Sequence, residues 1–271
     1  MKIKAKAKIN LSLNIVGLKD GFHTLESVVT EVDLCDTLYV KTSESIKVSY
    51  SNGFSVQEEK DNTVKAIRAF IKEFNTGGVE VFVKKQIPQK AGLGGSSADA
   101  VGVVKAMQKL YNIKDNKKVL KLLEGIGSDC PVQYEGGYNL VRGKGEILQK
   151  ISSKKKLYFV LLLEDEGVDT KECFNLFDTL NQGNVSNNQE LIAFLKGEGK
   201  LEKLDNALKK PAETLNSKVK ENLQTLSKYF SLYNLTGSGS CCYGVTEWKF
   251  KARKIYKELK RQNKNVLLTK N

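Results

Sequence analysis

The stretch that most constrains this chain is Pro88-Gln-Lys-Ala-Gly-Leu-Gly-Gly-Ser-Ser-Ala98, a proline and a small-residue loop that leads straight into helical spacing. Ala98, Val101, Val104, Met107 and Leu110 recur at helical steps and predict a helix running through Tyr111. Gly92, Gly94 and Gly95 carry no Cβ to hold a polyphosphate away from the backbone, so their amides are free to point inward. The unpaired N–H groups and positive dipole end of the following helix add to the same anion site. Ser96 and Ser97 can cap the helix, or touch phosphate or magnesium. Glycine and serine before a helix also make an ordinary capped turn, so the loop alone admits both readings. It is neither the Walker loop nor the dinucleotide fingerprint, because the Gly-Lys-Ser/Thr of the one and the spaced acidic residue of the other are missing. A nucleotide triphosphate is the ligand that this loop would suit.

The 271 residues, 40% of them hydrophobic, can bury a substantial core as one large or two medium domains. Three prolines and 28% charged residues argue against a disordered or fibrous chain. Five scattered cysteines without Cys-x-x-Cys spacing, and a single histidine, argue against a zinc site built by the protein and suit a reducing cytosol. The chain opens without an apolar export core, and no run approaches the ~20 apolar residues that cross a bilayer. A cytoplasmic protein is expected. The net charge of +13 draws anions, whether nucleic acid, membrane phosphate or a nucleotide.

Along the chain, residues 2–15 alternate apolar and polar and predict one strand with a polar face, on which Lys2, Lys4 and Lys6 protect a sheet edge. A β-rich stretch from Val28 to Leu34, a turn at Cys35-Asp-Thr37, and strands at Thr37–Lys41 and Ile46–Tyr50 follow. Asp61 is placed to cap a helix carrying Val64, Ile67, Phe70, Ile71 and Phe74. Val79–Lys84 reads as a strand, and Val119–Leu123 as a helix. Asp129 in Gly127-Ser-Asp-Cys-Pro-Val132 reads as an N-cap, and Gly137–Val141 as a strand. Lys154-Lys155-Lys156 reads as a solvated loop between two halves, and Leu157–Leu163 as a central strand of a second sheet. Residues 181–188 have loop composition, with helices predicted at Gln189–Lys196 and Glu213–Phe230. Tyr233–Val245 is strand, glycine turn and strand, then comes a basic helix, Lys249–Gln262, whose cations read as a solvated face, and a last strand at Asn265–Thr269.

The loop's Pro88, Gly92, Leu93, Gly94, Ser96, Ser97 and Ala98 resemble the second motif of the GHMP kinases, Pro-x-x-x-Gly-Leu-Gly-x-Ser-Ser-Ala. Further segments resemble, in order, the branch of that family acting on 4-diphosphocytidyl-2-C-methyl-D-erythritol. Ala7-Lys8-Ile9-Asn10-Leu11 is similar to its first motif, with Lys6 where that branch usually has proline. Gly21-Phe22-His23-Thr24-Leu25 resembles a Gly-Tyr-His-x-Leu segment whose ring stacks on cytosine and whose histidine bonds the cytosine edge. Asp61-Asn62 resembles the adenosine-pocket segment, and Lys85 a lysine near the adenine. Gly127–Val132 resembles Gly-Ala-Asp-Val-Pro, whose aspartate faces the hydroxyl to be phosphorylated, and Gly143–Glu146 a Gly-x-Gly-Glu turn. Thr170 and Phe174 resemble positions beside the substrate, the aromatic clamping cytosine from the other side. Gly237-Ser238-Gly239-Ser240 resembles the third GHMP motif.

The resemblance implies an α+β, two-domain GHMP kinase fold, with a ribosomal-protein-S5-like domain over 1–152 and a ferredoxin-like domain over 153–271. It implies ATP with Mg²⁺ as cofactors, Lys8 and Asp129 as the catalytic pair, and Asn62, Lys85, Pro88 and Gly92–Ser97 around the nucleotide. Asn10, Phe22, His23, Thr170, Phe174, Gly237 and Ser238 would meet a cytidine-diphosphate-linked polyol. A monomer or weak homodimer without a nucleic-acid or membrane partner is expected. The loop has one glycine fewer than many members carry, which leaves the separate roles of Ser96 and Ser97 open and keeps a homoserine, mevalonate or sugar kinase as an alternative. Phe22-His23 and Gly143–Glu146 speak against that alternative. A basic RNA-binding protein is the reading of a different class, weakened because aromatics do not interleave regularly with the basic runs and because a nucleotide loop would be superfluous in it.

Overall fold

The computed structural model describes residues 1–180 and 188–271. Its contacts divide the chain into two compact units that interleave in sequence. One unit comprises Met1–Ala7, Leu34–Ile87 and Gly94–Gly136, the other Lys8–Asp33, Pro88–Leu93 and Gly137–Asn271.

The first unit holds the start of β1 (Lys2–Asn10), the second half of β3 (Phe22–Ser43), β4 (Lys47–Tyr50) and β5 (Gly78–Lys84). It also holds α1 (Asn62–Phe74), α2 (Gly95–Leu110), α3 (Asn116–Glu124) and α4 (Cys130–Glu135). β5 pairs antiparallel with Thr37–Ser43 and parallel with β4. Leu38, Val40, Val79, Val81 and Val83 from this ladder are buried. Alternation along each strand sends these apolar side chains inward, where α1 and α2 also bury Val64, Ile67, Phe70, Val103 and Met107. Asp61 starts α1 as expected, its carboxylate accepting from the Thr63 amide at 2.8 Å and from Tyr50 Oη at 2.7 Å.

The second unit contains a four-stranded antiparallel sheet of β8 (Tyr158–Leu162), β9 (Leu232–Leu235), β10 (Cys242–Thr246) and β11 (Val266–Lys270) in the order β11-β8-β10-β9. In chain order this is fourth, first, third, second, the ferredoxin-like arrangement, and β8 is central as its apolar run demands. Val160, Leu162 and Leu235 meet Val219, Leu223, Leu226, Ile255 and Leu259 in one core. The helices are α5 (Thr170–Leu180), α6 (Asn188–Lys196), α7 (Lys209–Leu215), α8 (Ser217–Ser227) and α9 (Lys249–Arg261). The unit also has the hairpins of β2 (Asn14–Lys19) with the first half of β3, and of β6 (Tyr138–Gly143) with β7 (Ile147–Lys150).

Five expectations are corrected. Residues 2–15 form two strands, because the Leu11 and Ser12 amides both turn to Val28 O and the Leu13 amide goes to Asp205 O. The polar side of that segment is also not a solvent face beyond Lys6: Lys8, Asn10, Ser12 and Asn14 are buried among polar partners such as Ser27 and Asn188. The turn read at Cys35–Thr37 is instead the middle of β3, since the Asp36 carboxylate accepts the Gln86 and Ile87 amides and so ties the extended backbone down. Glu213–Phe230 is not one helix. It breaks at Asn216, extended at φ −143° and ψ 106°, whose side chain caps α8 through the Lys218 amide at 2.9 Å. Asn188, assigned to a loop by composition, already begins α6, and the rest of that loop, 181–187, lies outside the described residues.

Candidate active site

In the first unit the site is built where α2 begins. Gly94, with φ +69°, occupies the N-cap position and no side chain caps the helix. The capping role expected of Ser96 and Ser97 is therefore corrected. Both lie within the first turn, because the left-handed residue that ends the loop is a glycine and the helix starts at once behind it. Ser97 is buried beside Gly127, where an added Cβ would lie 3.5 Å from Ser97 Oγ and 3.8 Å from Asn62 Nδ2. Asn62, Ser97 and the Gly127–Cys130 turn are thus neighbours. Asp129 occupies the N-cap position of α4, yet its carboxylate makes no capping bond, and the turn is closed by the Cys130 amide on Gly127 O at 2.9 Å. The capping reading of Asp129 does not hold.

Lys85, one residue beyond β5, sits in a carboxylate cluster. Its Nζ pairs with Asp36 and, at 2.6 Å, with Asp99 Oδ2, and it stands 3.8 Å from where a Cβ on Gly95 would be. Burial alone would lower the Lys85 pKa, but the Asp99 and Asp36 carboxylates outweigh it and hold the ammonium above its ordinary range. Burial pushes the Asp99 carboxyl up to about 7 against the pull of Lys85, and Asp36 adds to the rise. Two carboxylates sharing one ammonium away from water retain a proton that free carboxylates would lose. Asp36 and Asp99 did not stand out in the sequence; an aspartate inside the apolar run of α2 was the available signal.

In the second unit the first motif meets the third. Lys8, only 4% exposed, donates from Nζ to Asn10 Oδ1 at 2.6 Å, and its amide bonds Leu93 O at 3.0 Å. Asn10 Oδ1 also accepts from the Gly237 amide at 3.1 Å and from Thr236 Oγ1 at 3.2 Å, while its Nδ2 donates to Ser27 Oγ at 2.9 Å. Gly92 O lies 3.0 Å from the same hydroxyl and is the alternative acceptor of its single proton. Gly92 has φ +71°, and a Cβ there would fall 2.1 Å from Thr236 O. No side chain fits between these two loops. Pro88, half-buried, opens the segment that brings Gly92 to this contact. Thr170 Oγ1 and Ser238 Oγ lie 2.9 Å apart, which joins two further expected residues.

The hairpin of β2 and β3 carries the expected cytosine readers. Strand alternation sends Phe22 and His23 to opposite faces. The His23 ring stacks on Phe174 with centroids 4.9 Å apart, packs edge-on to Phe177, and places Nε2 2.8 Å from Asp178 Oδ1. Phe22 remains 60% exposed, with the Lys144 ammonium 4.1 Å above its ring. The structure thus joins His23 to Phe174 directly and pairs Phe22 with the Gly143–Glu146 turn, where the Lys144 amide bonds Glu146 Oε2 at 2.6 Å. Asp178, Thr236 and Asn206, whose Nδ2 bonds Gly237 O at 3.0 Å, belong to this framework and carried no motif signal.

A profile described as GHMP kinases N terminal domain matches residues 61–137. At full length the chain is 32% identical to a 4-diphosphocytidyl-2-C-methyl-D-erythritol kinase of Clostridium tetani, covering 100% of this chain and 99% of that protein. With the protein of the same name from Thermoanaerobacter pseudethanolicus the identity is 34%, over 100% and 96%. The chain belongs to the 4-diphosphocytidyl-2-C-methyl-D-erythritol kinase family. A crystal structure of 4-(cytidine 5'-diphospho)-2C-methyl-D-erythritol kinase matches at TM-score 0.84 and 25% identity, covering 100% of this chain and 98% of that one. A homoserine kinase from Cytophaga hutchinsonii matches at TM-score 0.70 and 17% identity, and so shares the fold alone. The family places the chain among kinases of the GHMP fold, for which ATP is the phosphoryl donor.

Proposed function

We infer that this protein transfers the γ-phosphoryl group of ATP to the 2-hydroxyl of 4-diphosphocytidyl-2-C-methyl-D-erythritol, a step in making isoprenoid precursors outside the mevalonate route. The observation that carries this reading is the full-length relationship to kinases of that name. The homoserine and mevalonate kinases, at 17% identity or less, support no more than a common fold.

Phosphoryl transfer asks the protein mainly for positioning and charge neutralisation. In this reading the amides of Gly94–Ser97 and the start of α2 hold the β- and γ-phosphates. Lys8, whose ammonium is fixed by Asn10, neutralises charge on the transferring group, and Asp129 orients the acceptor hydroxyl and takes its proton late. Asn62 and Lys85 lie on the nucleotide side, while Thr170, Gly237 and Ser238 flank the polyol. His23 bonds the edge of cytosine and Phe174 clamps one of its faces, while Phe22, on the other side of the strand and under Lys144, turns from that contact to stack on the second face.

Among the described residues no group of His, Cys, Asp or Glu could hold a metal ion by itself. The donors that remain, the Ser96 and Ser97 hydroxyls and the Asp129 carboxylate, fit Mg²⁺ held mostly by phosphate oxygens and water. When bound there, the ion would neutralise β- and γ-phosphate charge. The division of the sequence into nucleotide-binding 1–152 and a carboxy-terminal 153–271 is part of the same proposal.

Asp129→Asn tests the chemistry. It is expected to bind ATP and the cytidine substrate within about twofold of wild type while kcat falls by about 10² or more. Near wild-type turnover would remove Asp129 from the reaction.

A further inference from the structure

Two basic motifs, the Lys154–Lys156 run and helix α9, play no part in the kinase reading, and the structure brings both to one end of the carboxy-terminal sheet. Thr246 pairs with Tyr158 at the end of the β10–β8 ladder, so residues 154–156 arrive beside Glu247 and Trp248. Lys155 Nζ bonds Glu247 Oε2 at 2.8 Å, and Lys154 and Lys156 remain exposed.

From Trp248 the chain enters α9, whose Ala252, Ile255 and Leu259 face the core. The opposite ridge, by helical geometry, is Phe250, Lys254, Lys257 and Arg261, flanked by Arg253. Lys249, Lys251, Arg253, Lys254, Lys257, Lys260 and Arg261 stand against a single acid in the helix, Glu258, and that carboxylate already accepts from Tyr229 Oη at 2.7 Å. Phe250, at the amino-terminal end of the ridge, is 84% exposed, and Trp248, at the N-cap position just before the helix, is 74% exposed. A solvated cationic face explains the lysines and arginines. It does not explain two large aromatics held out in water beside them.

We propose that the outer ridge of α9, headed by Phe250, with the N-cap residue Trp248 and the exposed Lys154 and Lys156 beside it, docks on the anionic headgroups of a lipid bilayer. The aromatic pair suits the headgroup boundary, where amphipathic and apolar rings partition, and the cations suit the negative surface potential below it. Charge complementarity favours an anionic partner. The shape favours a planar one, because single-stranded nucleic acid is held in a cationic groove with aromatics spaced along it, whereas here both rings share one end of a convex helix. Contact would be peripheral, since among the described residues no helix is long and apolar enough to cross a membrane. This departs from the expectation of no membrane partner, which the basic helix alone could not overturn.

Trp248 is the sole tryptophan, so its emission reports the contact directly. Adding phosphatidylglycerol/phosphatidylcholine vesicles is expected to shift the emission to the blue, and added salt to reverse the shift. Phosphatidylcholine alone is expected to leave the emission unchanged. Phe250→Ser, and separately the triple change Lys254→Glu, Lys257→Glu and Arg261→Glu, should each weaken vesicle binding by about tenfold or more while ADP release is kept, which shows that the fold is intact. The proposal is overturned by no shift on anionic vesicles, by an undiminished shift in the charge-reversed variant, or by a shift only with a single-stranded RNA oligonucleotide.

Discussion

At the scale of single residues, His23 carries the clearest consequence of the site's geometry. Its ring is held between Phe174 and Asp178, so it is oriented before any substrate arrives. His23→Ala is expected to raise the KM for the cytidine substrate by about tenfold, the worth of a lost hydrogen bond with its stacking, and to leave the KM for ATP unchanged. Steady-state kinetics with each substrate varied in turn checks this, and equal effects on both would argue against cytosine recognition. Lys8, Asn10 and His23 were legible because motif spelling marks them. Thr236 and Asp178 were not, because a threonine before a glycine turn and an aspartate on a surface helix are ordinary residues until the fold supplies their partners. The alternation that set Lys2, Lys4 and Lys6 on a polar face could not show that Lys8 and Asn10 are buried, since period two shows which residues share a side, not what covers it.

At the scale of elements, the approach of the Gly92 loop to the turn after β9 leaves no room for a side chain. Gly92→Ala combines positive φ with a Cβ 2.1 Å from Thr236 O, whereas Gly21→Ala has positive φ and nothing within 4 Å. The Gly21 change should cost about 1 kcal/mol and the Gly92 change about 2–3 kcal/mol or more. Urea midpoints of the two variants give the comparison, and equal losses would contradict the close approach. The Lys85 cluster gives a pH signature of its own. Because the folded state holds the Asp99 proton up to about 7, the associated stability is present below the ordinary carboxylate range and is lost as pH rises through about 7. Tm of the wild type should therefore fall between about pH 4 and pH 7 relative to Asp99→Asn, and parallel curves would refute it. Sequence periodicity located most helices and strands, because amphipathic spacing survives without tertiary context. It failed where a distant group intervenes, as at Asp36, which draws the Gln86 and Ile87 amides, and where a side chain competes locally with the backbone, as at Asn216, which turns from helix interior to cap.

At the scale of the whole molecule, the net charge of +13 and the phosphate-rich substrates of this kinase family point the same way, but charge never chose among anions. That choice came from the order of motifs along 271 residues, which no local pattern holds by itself. An ADP-release assay that offers 4-diphosphocytidyl-2-C-methyl-D-erythritol, homoserine and mevalonate in parallel tests the account most directly. Turnover dependent on the cytidine-linked polyol, with neither of the other two accepted, is the predicted result. Release of ADP with homoserine or mevalonate in its place, or with none of the three, would contradict it.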